Sequence, residues 1–395
     1  MKQLAKIYHF DSFWKREEKY DKLTNTDFQD VPWQELNPSE PYYFFVPKDF
    51  WVKEKYDKWF SVSEIFKINS MWIATWKDNI LTSFNKTNLS ERFWDKNVTI
   101  YNYRVFDSRF VVYDNNILQR ARGKIMDNLF YIKNNLSLIT TKFLSSSEFN
   151  HIFLSKNIFD RCIISNKWKE WNYSFPLYLY QEKKEWLLFN DSANLHSEWQ
   201  IEKTPNFNPE IISKIEQKLW MKLDSVNLHS EWQWIFTPED LFDYIYAVLH
   251  SKTYRETYKE FLKIDFPKIP FDTDKVTFFK MVKLGRELRS YHLMENESLI
   301  PKNFITKYEI DWDNLVGKVR FEDEKVFIND TEYFSWVPKQ VWEFYIWGYQ
   351  PAQKWLKDRK DRKLNYEDII HYSKIILCLK ETIRIMEEIE VVFKV

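Results

Sequence analysis

The chain has 395 residues but only four glycines: Gly123, Gly285, Gly317 and Gly348. Ordinary usage of about 7% would supply roughly 28. A chain of this length needs many backbone positions with positive φ, and glycine takes them without steric cost. Tryptophan occurs 19 times, and an indole fills such positions only under strain. The remaining composition is that of a folded protein. At about 150 residues per domain, the length suits two or three domains with sizeable cores. With 19% aromatic residues, the chain can bury enough apolar surface to offset ordering entropy, which excludes intrinsic disorder. Basic and acidic residues balance at 58 each. That excludes a nonspecific polycation and leaves room for a local basic face. Cys162 and Cys378 are too few for a disulfide scaffold, so a reducing, cytoplasmic setting is expected. No run of about 18 apolar residues exists, so no membrane partner is expected. The N-terminus lacks the apolar core of a signal peptide.

Local patterns predict an α+β chain with a mainly β middle and a mainly helical end. Ile7–Phe10 and Pro41–Pro47 read as short strands, the second bounded by prolines. Thr99–Phe106 and Arg109–Tyr113 read as paired strands with a break at Asp107-Ser108. Leu136–Thr141 and Phe175–Tyr180 are further strands. Thr237-Pro238-Glu239-Asp240 opens a helix with a capping hydroxyl, proline at the first position and acids in the first turn. A second helix is expected from about Asp274 to His292, with Val276, Phe279, Val282 and Leu288 inward. Lys318–Phe334 reads as a β-meander turning at Asn329-Asp330. Asn365-Tyr366-Glu367-Asp368 opens a long last helix whose buried stripe runs Ile369, Tyr372, Ile376, Leu379, Ile383, Met386. Leu195–Gln200 recurs as Leu228–Gln233, a local duplication; two copies do not make a solenoid.

Most catalytic chemistry is absent. No phosphate-binding glycine loop of either common pattern occurs. Two cysteines 216 positions apart cannot form a paired zinc site. The seven histidines show no ligand spacing, and the repeated His196 and His229 read as exposed loop residues. Glu216-Gln217-Lys218 is a chance triplet in a charged chain, and Ser145-Ser146-Ser147 reads as a loop or cap. What remains is basic and amide side chains interleaved with aromatics. Arg104, Arg109, Arg120 and Arg122 fall within 19 residues, and Tyr101, Tyr103, Phe106 and Phe110 lie among them. Asn166-Lys167-Trp168-Lys169 is a second such loop. Lys354–Lys363 is a third, with six basic and two acidic residues in ten. Guanidinium groups make bidentate contacts to guanine edges or phosphates, and amides read adenine. Lys77, Arg104, Arg109, Arg120, Arg122, Lys142, Asn166, Lys167 and Lys169 are therefore the candidate DNA contacts.

Several segments resemble the C-terminal region of single-polypeptide, type ISP restriction–modification enzymes and related N6-adenine DNA methyltransferases. The most specific is Val341-Trp342-Glu343-Phe344-Tyr345-Ile346-Trp347-Gly348-Tyr349-Gln350-Pro351-Ala352-Gln353-Lys354-Trp355-Leu356-Lys357-Asp358-Arg359. Others are Phe242–Ser251, Ser174–Tyr180, Tyr103–Arg109, Pro41–Asp49 and Lys15–Tyr20. Ordered anchors run from about residue 5 to 390. The resemblance implies a division into residues 1–50, the last strands of a methyltransferase-like α/β core; 51–235, a β-rich target-recognition region; and 236–395, a helical specificity region with a small meander. The expected function is sequence-specific recognition of double-stranded DNA, in phage defence. A methyltransferase core, and nuclease–helicase domains, would lie upstream or in trans. The S-adenosylmethionine loop and the Asn-Pro-Pro-Tyr motif are missing here. Asn37-Pro38-Ser39-Glu40 lacks the aromatic that stacks on a flipped adenine. The chain therefore reads as a fragment or split subunit with no cofactor of its own, not catalytic alone. S-adenosylmethionine would belong to the upstream core. The alternative is a helical docking module that couples the methyltransferase to its partner domains.

Against the family pattern, glycine would be expected at Trp14, Trp72, Trp76, Trp168, Trp171, Trp336 and Trp347, whereas Trp342 and Trp355 match family tryptophans. We read this as a gene in which the opal codon encodes glycine. TGG codons at those positions would exclude it. Indoles at positions meant for left-handed backbone would cost about 1–3 kcal/mol each.

Overall fold

In the computed structural model, the described residues are 6–10, 16–38, 50–182, 201–224, 234–309, 313–346 and 348–394. Within 50–182, positions 72, 74, 76, 94–96, 115, 119–121, 131–133, 146–148 and 166–169 are excepted. The chain divides into two compact units, Met1–Lys58 and Trp59–Val395. In the first, Ile7–His9 pairs antiparallel with Gln34–Leu36, and helix Arg16–Asn25 lies between them in sequence. The expected strand at Pro41–Pro47 lies outside the described residues, as do both copies of the 195–200/228–233 repeat.

Two four-stranded sheets organise the β-rich part of the second unit. In one, β1 (Val98–Arg104) and β2 (Asp107–Val112) form a hairpin. Thr82–Ser83 flanks β2, and Ile158–Phe159 pairs parallel to β1. The turn falls at Val105-Phe106 rather than at Asp107-Ser108. Phe106 takes φ 60°, and Asp107 is withdrawn into the strand because its carboxylate is buried against two arginines. In the other sheet, β3 (Ser137–Thr141) is central between β4 (Ile152–Ser155) and β5 (Asn172–Pro176), with Ser70–Met71 beyond β5. The single strand expected over Phe175–Tyr180 is two strands. β5 ends at Pro176, and Tyr178–Glu182 pairs instead with Ile201–Pro205. The break is Leu177, whose N–H donates to Leu136 O while Asn206 donates to its carbonyl.

The helical end follows the capping signals closely. Thr237 and Asp240 form a reciprocal capping box at the start of α1 (Pro238–His250). Asp274 caps α2 (Lys275–His292) through two backbone N–H groups. Asn365 and Asp368 form a second box at α3 (Tyr366–Val392). α1 and α2 cross so closely that a Cβ on Gly285 would lie 1.9 Å from the Asp243 carbonyl oxygen, so only glycine fits there. The inward face of α2 differs from the expected one. Val276 is 60% exposed, and Phe278, Met281, Val282, Leu284 and Leu288 are buried. On α3 the buried stripe drifts after Leu379 onto Thr382, Ile385 and Ile389. Ile383 and Met386 are only half-buried, as a 3.6-residue period requires over so long a helix. The meander is present as Arg320–Glu322, Lys325–Phe327 and Tyr333–Phe334.

The β-rich and helical parts are packed into one unit. His292 on α2 stacks on Phe153 of β4 at 5.2 Å, and His371 Nε2 on α3 lies 2.8 Å from Phe106 O. The Tyr349 hydroxyl accepts from Val105 N and donates to Ile163 O.

Tryptophans separate into two groups. Trp59, Trp342 and Trp355 are buried, whereas Trp171, Trp220 and Trp336 are 45%, 82% and 54% exposed. Trp220 and Trp336 have left-handed backbone, φ 53° and 61°, and no glycine has positive φ. Trp336 is one of the seven positions where glycine is expected. Trp171, another, needs no left-handed backbone. Trp14, Trp72, Trp76, Trp168 and Trp347 lie outside the described residues. Trp220 was not flagged by the family pattern. It ends helix Pro209–Leu219 in the left-handed capping conformation, a position glycine usually fills.

Candidate nucleic-acid interface

Five of the nine residues proposed to contact DNA are described: Lys77, Arg104, Arg109, Arg122 and Lys142. Arg120, Asn166, Lys167 and Lys169 lie outside the described residues. The five do not form one basic strip. They fall at three places.

The first is a polar cavity of about 380 Å³ lined by Thr75, Asp78, Asn79, Arg104, Asp160, Arg161 and Cys162. Arg104 ends β1, and its guanidinium lies over the Tyr103 ring, 4.1 Å from the centroid. Nη1 donates to Asp160 Oδ1 at 3.0 Å and to Tyr103 O at 2.6 Å. Asp160 is buried and also accepts from the Tyr101 hydroxyl at 2.5 Å and from Cys162 N at 2.7 Å. Burial pushes the Asp160 carboxyl up, and Arg104, the Tyr101 hydroxyl and the Cys162 amide oppose that push. Burial works against the Arg104 charge, but Asp160 and the other neighbours outweigh it, and its pKa is raised. Burial also pushes the Cys162 thiol up, which disfavours its thiolate. Lys77 directly precedes Asp78 in the chain, exposed and without an ion pair among the described residues.

The second place holds Arg109. Its guanidinium lies between the rings of Tyr103 (3.7 Å) and Phe84 (4.4 Å). Its Nε and Nη2 both donate to Asp107 Oδ2, at 3.3 and 2.9 Å. Asp107 Oδ1 accepts from Arg359 Nη2 at 2.8 Å. Arg359 and Arg362 also face Phe84, at 4.8 and 4.4 Å, and Arg362 pairs with Asp368. Part of the third basic cluster is therefore folded inward here. Lys354 pairs with Asp358 and Lys363 with Asp313.

The third place is a more apolar cavity of about 420 Å³ lined by Lys142, Phe143, Leu144, Ser145, Trp171, Tyr173 and Lys263. Lys142 lies 3.7 Å from Asp265 and near the rings of Phe143 and Phe266. Arg122 acts on Tyr173 electrostatically, against the upward push of burial on that phenol. It holds left-handed backbone at φ 56° with a buried Nε that makes no hydrogen bond. Among the described residues no cluster of three or more His, Cys, Asp or Glu could hold a metal, and no helix is long and apolar enough to cross a membrane.

The sequence singles out the arginines but not their acidic partners Asp107 and Asp160, nor Asp78 on the Arg104 cavity. Only the alternation Arg104–Asp107–Arg109 hinted at one of them.

Residues 66–388 match the Type ISP C-terminal specificity domain family. The chain belongs to that family. Three solved structures resemble this specificity domain, each at 16% identity, which shows a shared fold. One is a nuclease-deletion mutant of the Type ISP restriction–modification enzyme LlaGI in complex with a DNA substrate mimic. Its TM-score is 0.66, covering 97% of this chain and 33% of that one. The second is the ATP-dependent Type ISP restriction–modification enzyme LlaBIII bound to DNA, with TM-score 0.66, covering 90% and 25%. The third is a DrdV–DNA complex, with TM-score 0.70, covering 97% and 43%. The specificity domain thus spans between a quarter and under a half of those chains. No curated protein matches it.

Proposed function

We propose that this chain recognises a DNA target sequence as the specificity region of a Type ISP restriction–modification enzyme or adenine-N6 DNA methyltransferase. The observation that carries this reading is the family match across residues 66–388. The first cavity supports it, because it holds an oriented guanidinium with donors to spare. Methyl transfer belongs to an S-adenosylmethionine-dependent core outside this chain, and residues 1–50 contribute its last strands. The chain does not methylate alone, and it works in the cytoplasm with that core and with nuclease–helicase domains. The docking alternative rests on the long final helix and on the charged segment Lys354–Lys363. Four of its six basic groups pair with acids of this same chain, Arg359 in a buried pair and Lys363 at the surface, so that segment does not favour it.

The test is selection from a random duplex library by the full chain, alone and joined to its methyltransferase core, followed by competition against unrelated duplex. One enriched sequence is expected. Equal affinity for every duplex in both formats would overturn the proposal.

A further inference from the structure

The first cavity combines donors and acceptors in a way that a phosphate does not require. Arg104 uses Nη1 inside the protein. Its Nε and Nη2 make no hydrogen bond among the described residues. The arm is held from behind by Asp160 and from below by the Tyr103 ring. On the same cavity wall, Asp78 Oδ1 accepts from the Thr75 hydroxyl, and Asp78 Oδ2 lies 3.4 Å from the Tyr103 hydroxyl. Tyr103 therefore steadies both the cation and the carboxylate.

A phosphate offers only acceptors, and Asp78 would repel it. A G·C pair seen from the major groove offers both kinds of group. Guanine N7 and O6 accept from a guanidinium fork, and the cytosine N4 amino group donates to a carboxylate. An A·T pair presents an amino donor and a methyl group, and leaves the fork with a single acceptor on each base. We infer that Arg104 and Asp78 together read one G·C base pair of the target, Arg104 at the guanine and Asp78 at the cytosine. Asp160 is the positioning residue for Arg104. This rests on the reading of the chain as a DNA specificity domain.

The experiment uses the full chain joined to its methyltransferase core. The wild type is first put through duplex selection to define its target. Arg104→Lys and Asp78→Asn are then measured against duplexes altered one base pair at a time. Lysine keeps a cation opposite Asp160 but loses the bidentate fork. Asp78→Asn disturbs no buried ion pair, so one variant remains informative if the other folds poorly. The wild type should discriminate against replacement of one G·C pair by about 10- to 100-fold. Both variants should lose most of that factor at this pair and keep their discrimination elsewhere. Asp160→Asn should weaken the same position, and Asp160→Glu should restore part of it. If both variants keep full discrimination at every G·C pair, or lose it evenly at all positions, the assignment is wrong while DNA recognition stands. If the wild type shows no preference at all, DNA recognition itself fails, and the assignment with it.

Discussion

Arg104 and Arg109 stand five residues apart on one hairpin, and their side chains are equally exposed, 13% each. Their surroundings are opposite in kind. Arg104 gives one nitrogen to a buried acid and turns the rest toward a cavity. Arg109 gives both edge donors to Asp107, and both its faces are covered by rings. Asp107 then reaches across to Arg359, so Arg109 belongs to a clamp that ties the hairpin to the segment before α3. Neither charge nor exposure separates a reading arginine from a bracing one. The number of guanidinium nitrogens the protein itself engages does: one on Arg104 and two on Arg109.

The largest expected effect is at the clamp. Asp107→Ala leaves Arg109 and Arg359 buried beside each other without their shared acceptor. Removing one member of a buried charged network costs about 3–5 kcal/mol. Urea denaturation should show that loss, and Arg104→Lys should remain close to wild type. A clamp variant within about 1 kcal/mol of wild type would break the distinction between the two sites.

Acidification tests the same contrast with no substitution in the clamp. Burial pushes His371 down, and His371 lies against Phe106 O in the turn of the hairpin. Burial pushes His292 down to about 3. These imidazoles stay neutral in the folded protein, whereas in the unfolded chain they protonate near pH 6.5. Their contribution is complete above pH 6.5 and is lost as pH falls toward the folded value. For His292 the slope is about 1.4 kcal/mol per pH unit below 6.5. The melting temperature should fall from pH 6.5 to 4.5, and His292→Gln should flatten the fall. Among the described residues no histidine lines the Arg104 cavity. Its acid-sensitive group is Asp160, whose carboxyl burial pushes up, so base discrimination should outlast the protonation of free histidine and weaken only where Asp160 protonates. A melting temperature that does not change across this range would contradict the neutral, buried imidazoles.

Much of the framework was legible in the sequence because its signals are local. Capping boxes at Thr237 and Asn365, the proline at the first position of α1, and strand alternation in the hairpin each occupy a few consecutive residues. The site was less legible because its decisive partners are remote. Asp160 meets Arg104 from 56 positions away, and Asp107 meets Arg359 from 252. The hairpin turn was misplaced for the same reason: Asp107 has a turn residue's identity but a counter-ion's place. The glycine deficit was legible as a number, yet only the backbone locates its consequences, at Trp336 and also at Trp220. Both carry left-handed strain of about 1–2 kcal/mol. Trp336→Gly also loses a lysine, Lys307, stacked 4.6 Å from its ring, so Trp220→Gly should give the cleaner gain. A stabilised Trp220→Gly background sharpens the clamp measurement by keeping Asp107→Ala folded. A higher urea midpoint for Trp220→Gly alone is the check, and a lower one would mean that the indole holds that helix end.

The smallest effect distinguishes Arg104 from a plain phosphate contact at Lys77, the residue before Asp78. Lys77 is exposed and unpaired among the described residues, and an ammonium on a flexible stem is a point charge with no fork to match a base edge. Lys77→Ala should leave stability within about 0.5 kcal/mol of wild type. It should weaken binding to target and non-target duplex by the same factor. Each phosphate contact releases counterions, so the slope of log affinity against log salt should become shallower by about 0.9. Arg104→Lys should do the reverse, keeping the slope, because a cation remains, while losing discrimination at one pair. If Lys77→Ala instead changes which duplex is preferred, the division between gripping and reading residues is drawn in the wrong place, and Lys77 belongs with Arg104 and Asp78.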